Sequence, residues 1–292
     1  PNLFTDWGLR NYFSWINTGF DNVFFNTNGK IKRLLTRLSI ENLFHPFQAF
    51  ILGQKSIGPR MADLKKIPLV FYGENEAEYG NPIQTFNRPQ RSNNYFSSNI
   101  KKHFLGGVEV ERLIKDFKIK KSDLELYLPF EYKSKIDVHY LGYYLKWHPQ
   151  SCYYFSKEKS NFETAPFRNP GTYSKYNSID DKIDDFFYYT MGIKFGIGRA
   201  TTDASQEIRS GDITRDEGVL LVNKFDHEFP DRFAEEIFKY LSISKSEFPV
   251  AYKQFEEPIL TLKYFNDLCD TFRSPHIWKY DNGKWVLRVP LK

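Results

Sequence analysis

The residues best suited to chemistry are carboxylates that follow a glycine directly after an apolar run. Residues 67–72 form the run, and Gly73, Glu74, Asn75 and Glu78 follow it. In open α/β sheets, ligands bind beyond the carboxyl ends of strands, where a glycine lets backbone amides approach a phosphate. Carboxylates repel a bare polyphosphate, so a nucleotide here requires a divalent metal, and we expect Mg²⁺ on Glu74 or Glu78. An acidic helix start stabilised by the helix dipole explains the same residues equally well.

A second group of carboxylates lies near the middle of the chain. Asp181 and Asp185 are four residues apart and Asp184 is three after Asp181, so all three share one face of a helix. Like charges in this arrangement destabilise a helix unless a cation or the helix N-terminus offsets them. The N-terminus accounts for Asp180 and Asp181. Asp184 and Asp185 leave two interpretations open, a functional cluster or a solvated acidic face.

A third segment, residues 194–202, combines glycines with a cation. Gly196 and Gly198 are one residue apart and Arg199 follows at a predicted helix start. Backbone amides and a guanidinium in this order can bind a phosphate. A tight turn between two helices explains the glycines equally well.

Several kinds of site are excluded by residue type and spacing. The six histidines show no metal-ligand spacing, the two cysteines form no Cys-x-x-Cys pair, and Gly-x-Ser-x-Gly is absent. Covalent catalysis by a Cys or Ser of this chain is therefore not expected. The two separated cysteines favour a reducing, cytoplasmic location. No apolar stretch approaches the roughly twenty residues that cross a bilayer, so we expect no membrane span.

The elements that position these residues follow from hydrophobic periodicity. Helices are predicted over residues 6–18, 30–44, 56–66 and 178–194, and strands over residues 21–25, 67–72 and 138–145. Thr214 and Glu217 form a capping box, and Asn282-Gly283 predicts a hairpin turn. Strands alternating with helices indicate a doubly wound, mostly parallel α/β sheet. We expect this nucleotide-binding domain over residues 1–150 and a mainly helical region over residues 151–292.

Six segments, read together, carry a resemblance to a known family: PNLFTDWGLRNYFSWINTGFDN, RLLTRLSIENLFHPFQAFILGQK, IPLVFYGENEAEYGNP, HYLGYYLKWHPQ, the long run from GTYSKYNSIDDKIDD to NKFDHEFP, and RSPHIWK. In this order they resemble the N-acetyl sugar amidotransferase family of the PP-loop ATP-pyrophosphatase superfamily, which has an adenine nucleotide alpha hydrolase-like fold. The family's Ser-Gly-Gly-x-Asp-Ser loop and cysteine pairs precede the segment that matches Pro1. We therefore expect that residues lie upstream of Pro1, and that this chain does not hydrolyse ATP unaided.

The resemblance implies a reaction, its cofactors and its partners. ATP with Mg²⁺ adenylates the acetyl oxygen of a nucleotide- or carrier-linked sugar, and ammonia then displaces AMP to leave an acetamidino group. Members of the family act in lipopolysaccharide O-antigen and flagellin-glycan synthesis. Since no glutaminase nucleophile is visible, we expect ammonia from separate glutaminase and cyclase-like subunits.

The resemblance and the local charge together give the candidate site residues. The predicted catalytic residues are Glu74, Glu78, Asp181 and Lys175, the predicted nucleotide-binding residues are Gly73, Asn75, Lys194, Arg199 and Arg209, and the predicted metal ligands are Glu74 and Glu78. Tyr143, Tyr144 and Trp147 are candidates for stacking on a sugar or base, with core packing as the alternative.

Two other functions remain open at this point. An RNA-modifying ATP pyrophosphatase would carry a basic RNA-binding appendage, whereas the net charge is only +5 and forms no basic block, so we expect no nucleic-acid partner. A non-catalytic carbohydrate-binding or scaffold protein would bind sugar without regard to ATP or Mg²⁺.

Overall fold

The computed structural model describes residues 2–74, 88–91 and 103–289, which form an α/β fold in which helices predominate. The helices are α1 (Asp6–Ile16), α2 (Gly29–Leu43), α3 (Gln48–Lys65), α4 (Val110–Lys115), α5 (Lys121–Leu124), α6 (Pro149–Ser160), α7 (Asp184–Phe195), α8 (Arg199–Ser210), α9 (Arg215–Phe225), α10 (Ala234–Leu241) and α11 (Leu262–Phe272). The strands are β1 (Leu69–Tyr72), β2 (Phe104–Leu105), β3 (Val108–Glu109), β4 (Asp137–Tyr140), β5 (Trp278–Asp281) and β6 (Lys284–Leu287). Of the helices in the described ranges, none has both the length and the apolar character needed to cross a lipid bilayer.

Side-chain caps explain where several helices begin. The Asn28 side chain accepts from the Lys30 amide at 3.1 Å at the start of α2. At α9 the predicted capping box is confirmed, since Thr214 and Glu217 each bind the other's backbone amide. The predicted helix start at Ser178 is wrong. Ser178 has a left-handed φ of 44° and α7 begins only at Asp184.

The parallel pairing of β1 with β4 is the part of the sheet that bears on the site. Leu69 lies opposite Asp137, and Tyr72 lies opposite Tyr140. One face of β1 packs on α3, while Leu69 and Phe71 on the other face remain exposed. Within the described ranges the parallel sheet has these two strands, so the wider doubly wound sheet stays a prediction.

The predicted strand over residues 21–25 is wrong. Residues 21–28 have no regular structure, and Val23, Phe24 and Phe25 are each more than half exposed. A strand needs a neighbouring backbone to satisfy its amides and carbonyls, and none of the described residues pairs with this segment. Residues 21–25 therefore have the apolar sequence of a strand, but no neighbouring strand among the described residues pairs with them.

Of the four hydrophobic clusters in the described ranges, the two largest both join early to late parts of the chain. One includes Leu34, Leu113 and Leu124, with Ile243 and Phe255 from the C-terminal part. The other packs residues of α2, among them Ile40, against α7, α10 and α11. The helix α2 therefore contributes to both cores, so we expect its position to set the relative placement of the others.

The C-terminal strands β5 and β6 form the predicted hairpin, which is confirmed. Asn282 and Gly283 have φ values of 48° and 81°, the left-handed pair that a tight two-residue turn requires. The hairpin is fixed to the helical region because the indole Nε1 of Trp278 donates to the Ile193 carbonyl at 2.8 Å.

A pH dependence of stability follows from His45, which packs on Phe187 with ring centroids 5.0 Å apart. Burial lowers the pKa of His45 to about 4. Since the unfolded chain binds the proton more readily, stability falls as the pH drops through the window from 6.5 towards 4. We expect the free energy of unfolding to fall by about 1.5 kcal/mol between pH 6.5 and pH 5. The His45→Phe variant should lack this decrease in the free energy of unfolding, which urea denaturation at pH 6.5 and at pH 5 measures. A variant whose stability falls as much as that of the natural chain between these pH values would contradict the prediction.

Candidate functional site

The carboxyl edge of the parallel strands brings two predicted groups to one place. β1 ends at Tyr72 and continues into Gly73 and Glu74, while β4 ends opposite it and continues towards Tyr143 and Tyr144. Tyr144 packs edge-on against Phe71 with ring centroids 5.8 Å apart. Because parallel strands share their carboxyl edge, the acidic and the aromatic candidates occupy the same side of the sheet, which is where ligands bind in such folds.

A proline inside α3 ties the end of β1 to the middle of that helix. Pro59 has no N–H, so the carbonyl of Lys55, four residues earlier, lacks its helical hydrogen-bond donor. The Tyr72 hydroxyl lies 3.0 Å from this carbonyl oxygen, and Arg91 Nη2 donates to it at 3.2 Å. Arg91 also lies over the Tyr72 ring, 5.0 Å from its centroid. Lys55 is thereby fixed beside the strand end.

Glu74 and Lys55 influence each other electrostatically at this edge. Partial desolvation, and then the charge of Asp180, raise the pKa of the Glu74 carboxyl, while Lys55 lowers it. Desolvation, and then the charge of Arg91, lower the pKa of Lys55 to about 8, although Glu74 opposes this shift. The edge therefore holds a carboxylate that favours a nearby cation and an amine that favours a nearby anion.

Asp181 and Asp184 differ in what they contact. The Asp181 carboxylate accepts from the backbone amides of Asn2, of Leu3 at 3.2 Å and of Ile183 at 3.0 Å, and is buried. Asp184 keeps partial exposure, and desolvation followed by the charges of Asp180 and Asp181 raises its pKa well above the ordinary value. Asp181 thus holds the N-terminal segment.

A buried ion cluster supports this carboxylate segment. Arg199 and Asp185 are 2% and 3% exposed, and Arg199 Nη1 donates to Asp185 Oδ1 at 3.0 Å. Arg199 Nη2 donates to the carbonyls of Asn177 and Ser178 at 2.6 and 2.7 Å. Arg232 Nη2 binds the other Asp185 oxygen at 2.8 Å. The predicted phosphate cation Arg199 is therefore paired with protein groups.

Further hydrogen bonds fix the loop that precedes α7. The Thr172 hydroxyl donates to Asp203 at 2.5 Å, and the Asn177 amide donates to the other oxygen of Asp203 at 3.1 Å. The Tyr173 hydroxyl donates to Glu207 at 2.8 Å. Both acceptors lie on α8, so this helix holds the loop along its length.

The start of α8 is occupied by a carboxylate of the protein itself. Asp226 Oδ1 accepts from the Ala200 amide at 2.9 Å and from the Thr201 amide at 3.3 Å. A Cβ on Gly198 would come within 2.2 Å of the Asp226 carboxylate, so only glycine allows this approach. A phosphate at these amides would have to displace Asp226. The structure therefore favours the interpretation of Gly196 and Gly198 as a turn between two helices.

The remaining predicted residues lie in different surroundings. Lys194 Nζ donates to the Leu43 carbonyl at 2.6 Å, at the end of α2. Lys175 and Arg209 are exposed, Arg209 near the end of α8. Asn75 and Glu78 lie outside the described residues. Roles in binding or catalysis for these five residues stay predictions.

Two residues at the strand edge, Lys55 and Arg91, are not among the site residues predicted from the sequence. A signal for Lys55 was present, because Pro59 follows it by four residues within the same helix. A helical proline frees one carbonyl at that spacing and invites a contact from outside the helix. No local signal pointed to Arg91, whose contact with Lys55 is tertiary.

Comparison with known proteins adds a family relation for the C-terminal part. Residues 170–291 match the family model "LPS biosynthesis protein WbpG-like, C-terminal domain". The matched region includes the ion cluster of Asp185, Arg199 and Arg232, together with α7 to α11. No curated protein matches the chain. The C-terminal part is therefore similar to a domain of lipopolysaccharide biosynthesis proteins.

The structure separates a structural role of Arg199 from a ligand-binding role. Arg199→Met leaves Asp185 with one cation and removes the donor of two carbonyls, so we expect a loss of about 3–5 kcal/mol in the free energy of unfolding. Urea denaturation measures it. Arg209→Met, on the exposed end of the same helix, should change stability by less than about 0.5 kcal/mol. A stable Arg199→Met protein with weakened ATP binding would instead support the phosphate-binding role.

Proposed function

We propose that this chain serves in lipopolysaccharide biosynthesis as an ATP-dependent amidotransferase, which converts the acetamido group of a sugar into an acetamidino group. The sequence resemblance and the family match over residues 170–291 support the pathway. The observation that carries the chemistry is the position of two charged residues at the carboxyl edge of β1. Glu74 follows the strand directly, and the Lys55 backbone carbonyl contacts the Tyr72 hydroxyl and Arg91 there.

The reaction needs activation because an amide oxygen is a poor leaving group. In the proposed sequence the acetamido oxygen attacks the α-phosphorus of ATP, and pyrophosphate leaves. Ammonia then adds to the activated carbon, AMP departs with the former amide oxygen, and ammonia's nitrogen loses a proton to give the amidine. Positioned charges at the phosphates and a proton acceptor near the carbon are what the protein must supply.

The strand edge fits a Mg²⁺ ion that is held jointly by the protein and by the phosphates of a substrate. Among the described residues, no group of three His, Cys, Asp or Glu side chains is arranged to hold a metal. Mg²⁺ commonly binds through one or two carboxylates together with substrate phosphates and water. Glu74 is the described carboxylate that would hold it, with Glu78 as the second predicted ligand. When bound, the ion supplies charge neutralisation at the phosphates.

Residues of the chain itself would bind the phosphates and the sugar or base. The Lys55 ammonium binds phosphate oxygens next to Glu74, and its clamped backbone keeps it there. Tyr143 and Tyr144 offer exposed rings at the same edge for a sugar or base to stack on.

Removal of the Glu74 charge tests the metal role. Glu74→Gln should weaken ATP binding about tenfold or more in MgCl₂, because the ion loses a ligand. In EDTA it should leave ATP binding unchanged or stronger, since a charge that repels phosphate is gone. Isothermal titration calorimetry measures both. Glu111→Gln, an exposed carboxylate on α4, is the control. Equal effects with and without Mg²⁺ would contradict the role.

The source of ammonia gives a second test. No glutaminase nucleophile is evident in the sequence, so glutamine alone should give no acetamidino product with the purified full-length protein, whereas a high concentration of ammonium chloride should bypass the partner subunit. Mass spectrometry detects the product, which differs from the substrate by exchange of an oxygen for NH. Product from glutamine and the purified single chain would contradict the need for a partner.

A further inference from the structure

A surface of exposed apolar and basic side chains begins where the chain leaves the strand edge. Tyr144 still belongs to the edge, because its hydroxyl lies 2.6 Å from His139 Nδ1 and its ring packs on Phe71. The next residue starts an exposed segment that leads into α6. The side chains of this segment and of α6 form what we call the α6 surface: Leu145, Lys146, Trp147, Tyr154, Phe155 and Lys157.

The apolar members of the α6 surface are open to solvent. The exposed fractions are 61% for Leu145, 44% for Trp147, 64% for Tyr154 and 65% for Phe155. Large apolar side chains exposed together in one short stretch of chain are typical of a surface that contacts another molecule or a membrane. Core packing, the alternative left open for Trp147, therefore does not describe this residue.

The α6 helix presents a different face to the rest of the protein. The Tyr153 ring stacks on Tyr176 with centroids 4.7 Å apart and planes 11° apart. Ser151, Tyr154 and Phe155 follow the spacing of one helix face, and all three are exposed. The aromatic face of α6 is thus directed away from the ring contact that fixes the helix.

Two cations accompany these rings. Lys146 lies between Leu145 and Trp147 in the chain, and Lys157 lies two residues after Phe155. Neither lysine forms an ion pair with a carboxylate of the described residues. The nearby Lys159 differs, because its Nζ is 2.6 Å from the carboxylate of Glu158. The α6 surface therefore combines exposed rings with two positive charges and contains no acidic residue.

Another exposed aromatic segment of the chain lacks this combination. Residues 11–29 include the exposed rings of Phe20, Phe24 and Phe25, but their one charged residue is Asp21. An anionic surface would not be attracted to that segment. The charge of the α6 surface is therefore what indicates the kind of partner.

We infer that the α6 surface docks on the headgroup region of an anionic lipid bilayer. Trp and Tyr rings prefer the depth of the lipid headgroups, and each nearby lysine adds attraction to anionic lipids. The attachment is peripheral, since no helix in the described ranges is suited to cross a bilayer. The inference does not depend on the proposed function. Because Leu145 follows Tyr144 directly, the bilayer would lie beside the strand edge.

Co-sedimentation of the chain with vesicles tests the lysines. Vesicles of phosphatidylcholine mixed with phosphatidylglycerol should bind the natural chain, and vesicles of phosphatidylcholine alone should bind it several-fold less. Lys146→Gln/Lys157→Gln should weaken binding to the mixed vesicles roughly tenfold. The matched control, Lys253→Gln/Lys263→Gln, removes the same charge from two exposed lysines elsewhere and should bind like the natural chain. No binding to mixed vesicles, or an equal loss in both double variants, would overturn the inference.

A second pair of variants tests the rings. Trp147→Ala/Phe155→Ala should weaken binding to the mixed vesicles several-fold, whereas Phe24→Ala/Phe25→Ala should leave it unchanged. All four side chains are exposed, so circular dichroism should show that both variants keep the fold. Equal losses in the two variants would mean that any exposed ring suffices, which would overturn the inference.

Trp147→Phe locates the contact while keeping an aromatic ring. Brominated phosphatidylcholine in the mixed vesicles should quench the tryptophan fluorescence of the bound natural chain, and the bound variant should lose most of this quenching. Undiminished quenching would place the contact elsewhere and overturn the inference. So would self-association of the chain that Trp147→Ala/Phe155→Ala abolishes in the absence of vesicle binding, because the surface would then be a protein interface. These assays contain neither ATP nor sugar, so their failure would leave the proposed function standing.

Discussion

The buried pair of Asp185 and Arg199 is the interaction on which the rest of the C-terminal architecture depends. A single carboxylate near the start of α7 receives guanidinium groups from the start of α8 and from the turn before α10. The same Arg199 holds two carbonyls of the loop that leads into α7. Three chain segments are therefore joined by one cluster of buried charges. Removing one charge from such a cluster costs several kcal/mol, because its partner stays buried without compensation.

The functional consequence of this cluster is the placement of the acidic segment. Arg199 holds the Ser178 carbonyl, and the backbone amides of residues 2 and 3 hold the Asp181 carboxylate, so Asp180 lies between two fixed neighbours. After desolvation, the charge of Asp180 raises the pKa of Glu74. On the other side of the edge, the carbonyl freed by Pro59 fixes Lys55 against Tyr72. Two unrelated constraints thus bring opposite charges together at the end of one strand.

The sequence was sufficient where the determinant is local. The cap of α9, the helical periodicity of α1 and the Asn282-Gly283 turn depend on residues within a few positions of each other, and these elements formed as predicted. The sequence was insufficient where the local structure depends on a residue far away in the chain. The apolar pattern of residues 21–25 contains no information on whether another strand lies beside it.

The same limit applies to the candidate site. Arg199 after two glycines fits a phosphate site equally well until Asp185 and Asp226 are seen to satisfy the guanidinium and the amides of α8. Glu74 at a strand end was predicted from its position relative to a single apolar run. Its interaction with Lys55 and Asp180 needed three segments to meet, which spacing along the chain does not reveal.

The parallel pairing of β1 with β4 has a consequence for how the molecule forms. The two strands are far apart in the chain, so closing the loop between them costs conformational entropy. The hydrogen bonds between the strands offset this cost only after the loop has closed. The α3 helix and the hairpin depend on near neighbours and need no such closure. We therefore expect the strand edge to assemble late in folding, after the helices that flank it, and binding competence to appear after most helical content is already in place.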